Sequence, residues 1–171
     1  MCGVVALFLT RPLQDSDITL GAGATYDLRH RGPDASGTWV DENAGVFLGH
    51  RRLSVIDLSS ASDQPMMRAD HVLTYNGELY NYQAMRERLL GLGHDFSTSG
   101  DTEVLMAAWR QFGPEAVDYF EGMFAFALWD GNDGWLATDR YGEKPLYYAS
   151  TAEGLLVASE LPTLVRMTGA K

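Results

Sequence analysis

The sequence has one cysteine, four histidines, 13 basic residues against 23 acidic ones and no long apolar run. Each shortage removes a class of function. A single cysteine, Cys2, permits no internal disulfide and no cysteine-cluster zinc site. The histidines, His30, His50, His71 and His94, lack the spacing of metal ligands, so no metal site is expected. A formal charge of −10 argues against nucleic acid, whose phosphates need a basic face, and the same sign argues against a membrane surface. No apolar stretch approaches the ~20 residues that span a bilayer. Met1-Cys2 runs directly into an apolar strand-like segment, with no basic n-region ahead of it and no small-residue cleavage site behind it. A signal peptide is therefore not expected, and the cytoplasm is the expected compartment.

What is present is a globular composition. The chain has 171 residues, enough for one domain with a real core, and 46% hydrophobic residues that include four Trp, eight Tyr and seven Phe. Residues 3–9 form a continuous apolar run of strand length, which places Cys2 at a strand's beginning. Residues 18–28 have helical character with Asp15, Ser16 or Asp17 as cap, although Gly21 and Gly23 weaken it by ~1 kcal/mol each. Arg29-His30-Arg31-Gly32-Pro33-Asp34 cannot continue a helix and reads as a loop leading to a strand at 37–40. Strands follow at about 46–53 and 72–75.

Tyr82, Met85, Leu89 and Leu92 recur at helical spacing and stop at Gly93. Leu105, Ala108, Trp109 and Phe112 do so again and stop at Gly113. From Gly122 the period drops to two, Phe124, Phe126 and Leu128 alternating with Ala125 and Ala127, and Asp130-Gly-Asn-Asp-Gly134 turns the chain into a second strand. A further hairpin pairs Tyr147-Tyr148 with 155–158, and residues 161–167 form a last helix. Without regular strand–helix alternation the pattern predicts an α+β fold with antiparallel sheets.

A lone cysteine is usually a small buried hydrophobe, but position two changes the reading of Cys2. Beside a small penultimate residue the initiator Met is normally removed, which leaves a residue with both a thiol and a free α-amine. That amine, with an ordinary pKa of ~7.7–8.0, is able to accept the thiol proton as general base. Nucleophile and base then share one residue, and no histidine is needed. Such a site requires an oxyanion hole. Asn76-Gly77-Glu78, just after the strand at 72–75, offers an Asn side-chain amide and a Gly backbone N–H, each typically worth ~3 kcal/mol. Asn-Gly alone is equally a hairpin-turn signal.

Eight segments in order carry a resemblance: Met1-Cys2-Gly3; Arg29 to Asp34; His50-Arg-Arg-Leu-Ser-Val-Ile-Asp57; Gln64-Pro65-Met66; Asn76-Gly-Glu-Leu-Tyr-Asn81; Ser99-Gly-Asp-Thr-Glu103; Gly122-Met-Phe-Ala-Phe-Ala-Leu-Trp-Asp130; and Lys144-Pro-Leu-Tyr-Tyr148. Together they resemble the glutaminase domain of glutamine-hydrolysing asparagine synthetases, over nearly the whole chain. The resemblance implies an N-terminal-nucleophile hydrolase fold, a four-layer αββα sandwich of two antiparallel sheets. It implies L-glutamine as substrate, hydrolysed to glutamate and ammonia through Cys2, with Asn76 and Gly77 at the oxyanion.

By the same resemblance Arg52 grips the substrate α-carboxylate, Leu53, Ser54, Val55 and Ile56 continue that wall, Asp101 binds the α-ammonium and Glu78 frames the amino acid. A guanidinium fork suits a carboxylate. On local grounds Arg52 is also placed to pair with a surface carboxylate, and Asp101 to cap the helix that follows it. Arg31 is expected to order its loop rather than touch substrate. No cofactor is expected in this domain, which would occupy residues 1–171. ATP and Mg²⁺ are implied only for a synthetase domain or subunit that receives the ammonia and amidates a carboxylate, most simply aspartate to asparagine. Ser159-Glu160-Leu161 resembles the crossing into that synthetase half, so the chain reads as an excised domain, with a stand-alone glutaminase subunit as the alternative. Other classes stay open: a silent docking module with Met1 retained, or an N-terminal-cysteine hydrolase of another amide.

Overall fold

The computed structural model describes residues 1–55 and 59–169. The first sheet is built on β1 (Gly3–Leu9) at its centre, flanked by β3 (Val46–Arg52) and β9 (Gly154–Ala158), with β2 (Ala35–Asp41) and β8 (Tyr147–Thr151) at its edges. Every pairing in it is antiparallel. Strand periodicity of two then sorts the side chains. Val5, Leu7, Phe47 and Leu156 pack on one face beneath α1 (Asp15–Asp27) and α4 (Leu161–Thr168), whereas Val4, Ala6, Val46 and Leu48 turn to the opposite face.

That opposite face meets a second antiparallel sheet, ordered β4 (Met66–Arg68), β5 (His71–Leu79), β6 (Gly122–Trp129) and β7 (Gly134–Thr138). Val72 and Ala127 join the inter-sheet layer. Leu73, Leu79, Phe126 and Leu128 point outward to α2 (Tyr82–Gly91) and α3 (Asp101–Phe112). Trp109 of α3 meets the Phe126 ring edge-on at 5.6 Å. The result is a four-layer αββα sandwich with three apolar layers, as the family resemblance implies.

Local differences from the sequence reading have physical causes. The first helix begins at Asp15 and is capped by Gln14, in a capping box where the Asp17 side chain returns to the Gln14 amide. Its Gly21, a weak helix former, is required by packing: a Cβ there would lie 2.6 Å from the Phe47 ring. The largest difference lies in β5, which continues through Leu79, so Asn76-Gly77 is strand and not a turn. Pairing of Asn76 with Ala125 and Gly77 with Phe124 of β6 carries the extended backbone past the Asn-Gly pair. At α3 the cap is Gly100, and Asp101 is the first helical residue, so Asp101 does not serve as the cap.

Candidate active site

Cys2 precedes β1 on the face shared by Val4 and Ala6, which turns it toward the second sheet. Its backbone nitrogen donates to Asn76 Oδ1 at 3.0 Å. The Leu53 amide lies 3.4 Å from Sγ, and Sγ lies 3.7 Å from the Leu53 carbonyl. Burial pushes the thiol above its ordinary pKa, while the Leu53 amide and the positive charges of the chain terminus, Arg52 and Arg31 pull it back. The Cys2 carbonyl is held by Arg31 Nε at 2.8 Å, and Arg31 Nη1 reaches Glu160 Oε1 at 3.1 Å. Arg31 thus ties the loop at 29–34 and the segment entering α4 to the Cys2 backbone, as its expected ordering role requires.

Asn76 faces the inter-sheet layer, two positions after Thr74, whose hydroxyl donates to the Gly49 carbonyl at 3.1 Å. Its Oδ1 is taken by Cys2, whereas its Nδ2 is buried and has no partner among the described residues. Buried donors without partners are rare in native proteins. This one lies beside Cys2 in a cavity of about 300 Å³ whose walls also include Gly77, Arg52, Glu78 and Asp101. Gly77 admits no side chain, because a Cβ would overlap the Met123 carbonyl oxygen on β6.

The cavity has a cationic and an anionic side. Arg52 ends β3 and is buried, with Nη1 donating to the Ser59 carbonyl at 2.8 Å and to Asp63 Oδ1 at 2.7 Å. The carboxylate pairing is therefore real, and Arg52 still lines the cavity. Asp101, only 5% exposed, accepts the Tyr75 hydroxyl at 2.7 Å and the Leu79 amide at 3.0 Å, both on Oδ2. Burial raises its carboxyl pKa against those two hydrogen bonds and one from its own amide, and the nearby Glu78 adds to the rise. The preceding loop is fixed by Glu103, whose carboxylate accepts from the amides and hydroxyls of Ser97 and Thr98 and from Arg68.

The expected wall after Arg52 is partly realised. Leu53 and Val55 line the cavity. Ser54 does not: its amide donates to Asp34 Oδ2 at 2.8 Å, tying the segment to the 29–34 loop. Ile56 lies outside the described residues.

A model of the glutamine amidotransferase domain matches residues 1–171. The chain belongs to this family. Asparagine synthetase [glutamine-hydrolyzing] 1 of Bacillus subtilis (strain 168) is 42% identical over 171 residues, which cover 96% of this chain and 27% of that protein. Asparagine synthetase B [glutamine-hydrolyzing] of Escherichia coli (strain K12) is 44% identical over 143 residues, covering 81% and 25% respectively. The domain therefore spans about a quarter of these relatives. The same fold occurs in the glutamine phosphoribosylpyrophosphate amidotransferase of B. subtilis, with a TM-score of 0.81 over 99% of this chain and 44% of that one at 21% identity. That likeness supports the four-layer sandwich fold.

Several residues of the amidotransferase cavity escaped sequence reasoning. Ser62, Gln64, Tyr75, Thr102 and Lys144 all line it. Gln64 belongs to a quoted motif, and its Oε1 accepts the Tyr75 amide at 2.6 Å. Lys144 is delivered by a turn built on Asp139, which accepts the amides of Phe124, Tyr141, Glu143 and Lys144. Ser62 carries a buried Oγ without a partner among the described residues. Ser62 and Lys144 come from short segments without periodicity, whereas Tyr75 on β5 and Thr102 on α3 lie in regular elements whose period does not mark a cavity wall.

Proposed function

We propose that the domain hydrolyses L-glutamine to glutamate and ammonia, with Cys2 as an N-terminal nucleophile once Met1 has been removed. One observation carries this reading: Asn76 meets the Cys2 nitrogen with its carbonyl and leaves its amide nitrogen, among the described residues, unpartnered in the same cavity. Removal of Met1 turns that Cys2 nitrogen into an amine. Asn76 Oδ1 then orients the amine by accepting one of its hydrogens, and the nitrogen lone pair takes the thiol proton.

The thiolate sulfur attacks the side-chain carbonyl carbon of glutamine. The oxygen of the tetrahedral adduct gathers negative charge against Asn76 Nδ2 and the Gly77 amide. The protonated amine returns its proton to the departing ammonia, and water then hydrolyses the γ-glutamyl thioester through a second oxyanion. Burial raises the thiol pKa in the chain that carries Met1, so ionising the thiol calls for a base, and the amine freed by removal of Met1 supplies one. Arg52 and Asp101 provide opposite charges for the α-carboxylate and α-ammonium, selecting a zwitterionic amino acid.

The ammonia is assigned to ATP-dependent amidation of a carboxylate in an associated synthetase domain, with aspartate the first acceptor to test. Support comes from relatives that carry the glutamine-hydrolysing asparagine synthetase name and extend well beyond this domain. No cofactor is assigned to the glutaminase step, and the cytoplasm is the proposed compartment. The test is glutamate release by the purified chain and by Cys2→Ala. The proposal requires that the substitution abolish turnover, and glutamate release that survives it would overturn the assignment.

A further inference from the structure

Asp101 is a buried carboxylate that joins none of the ion pairs among the described residues. Burying an ion without a counter-ion is costly unless donors replace its water. Donors do so here: the Leu79 amide and the Tyr75 hydroxyl both reach the same oxygen, Oδ2, and the Asp101 amide adds a further, weaker contribution to its own carboxylate. The start of α3 contributes its positive dipole end. The Tyr75 ring lies in the apolar layer with Leu73 and Leu79, where a hydroxyl has a cost and no packing value. Its tie to Asp101 explains why this position is more than a phenylalanine.

We infer that Tyr75 is a positioning residue for amino-acid binding, fixing the Asp101 carboxylate by its Oδ2 so that Oδ1 is presented to the α-ammonium of the substrate. This rests on the glutaminase reading above. The phenol remains protonated, because burial, and then the charge of Asp101, push it well above its ordinary pKa, so it acts only as a donor. Glu78 on β5 opposes ionisation of Asp101, and the chain's amino terminus, Cys2, Arg52 and Lys144 are the other titratable groups of the same cavity. Tyr75 therefore stabilises the charged form in surroundings that otherwise favour the neutral acid.

The test compares the parent chain with Tyr75→Phe, which removes one oxygen and keeps the ring. A hydrogen bond to a charged group is worth ~1.5–3 kcal/mol, so KM for glutamine should rise about 10-fold or more, with kcat nearly unchanged. The acid limb of kcat/KM should move to higher pH, since loss of the donor makes Asp101 easier to protonate. The substrate analogue lacking the α-amine gives a readout that general loosening would not move: discrimination between it and glutamine should narrow in Tyr75→Phe. A folded Tyr75→Phe with unchanged KM, acid limb and discrimination overturns this assignment alone. A parent chain that neither binds nor hydrolyses glutamine overturns the glutaminase reading and this inference with it.

Discussion

The backbone nitrogen of Cys2 and the side-chain carbonyl of Asn76 are 3.0 Å apart, although 74 positions separate them in sequence. The contact joins the entrance of one sheet's central strand to a strand of the other sheet, so the sandwich itself assembles the site. An amide side chain is suited to this place because it accepts at one end and donates at the other. Asn76 accepts from Cys2 at one end and turns its other end, unpartnered among the described residues, into the same cavity.

Replacing Asn76 with Ala should remove an oxyanion donor and the orienting partner of the Cys2 nitrogen together. Loss of one such donor typically lowers kcat by ~10²–10³. Steady-state glutaminase kinetics should show a fall in kcat at least that large, with a smaller change in KM. A drop confined to KM would point to substrate binding instead.

Arg52→Ala should act the other way, raising KM for glutamine more than it lowers kcat. Arg52→Lys should restore little, because a single ammonium is unable to hold Ser59 and Asp63 and also present a fork to a carboxylate. The check is the KM against kcat split for both variants.

Glu103 is held down to a pKa of about 2 from an ordinary 4.5: its burial opposes this, but hydrogen bonds from Arg68, Thr98 and Ser97 prevail. A depressed carboxylate stabilises the fold above its ordinary pKa and loses that contribution as pH falls toward the folded value. Glu103→Gln should therefore lower stability by on the order of 3 kcal/mol near neutral pH. Urea unfolding should show the gap to the parent closing as pH falls from 4.5 toward 2.

Burial lowers the His50 pKa to about 4 from 6.5, with its Nε2 on the Tyr75 carbonyl at 3.0 Å and its Nδ1 unpartnered among the described residues. The unfolded chain takes up a proton below 6.5 that the folded chain refuses until about 4, so stability falls across that window as pH decreases. His50→Gln should flatten the decline between pH 6.5 and 4 in the same unfolding series. An unchanged slope would contradict a neutral, buried His50.

Much of this was legible in the sequence where signals are local. The run at 3–9 announced a central strand, and the helical spacing of Leu105, Ala108 and Trp109 announced α3. Cys2, Arg52, Asn76 and Asp101 were read from motifs and do converge on one cavity. The extent of β5 was not legible, because Asn-Gly carries turn chemistry and only pairing with β6 overrides it. The three residues of β4 are too few to show a period. Ser62 and Lys144 reach the cavity from turns, and Tyr75 gains its meaning from Asp101, 26 positions later. These are tertiary facts with no local signature.

The central claim is that Cys2, freed of Met1, carries the γ-glutamyl group. Intact-mass spectrometry of the chain mixed with L-glutamine and quenched in acid tests it directly, with peptide mapping to locate the adduct. The account predicts a mass lacking Met1 and a transient γ-glutamyl adduct on Cys2 that disappears in Cys2→Ala. Glutamate production by a chain that retains Met1, or an adduct on any other residue, would contradict it.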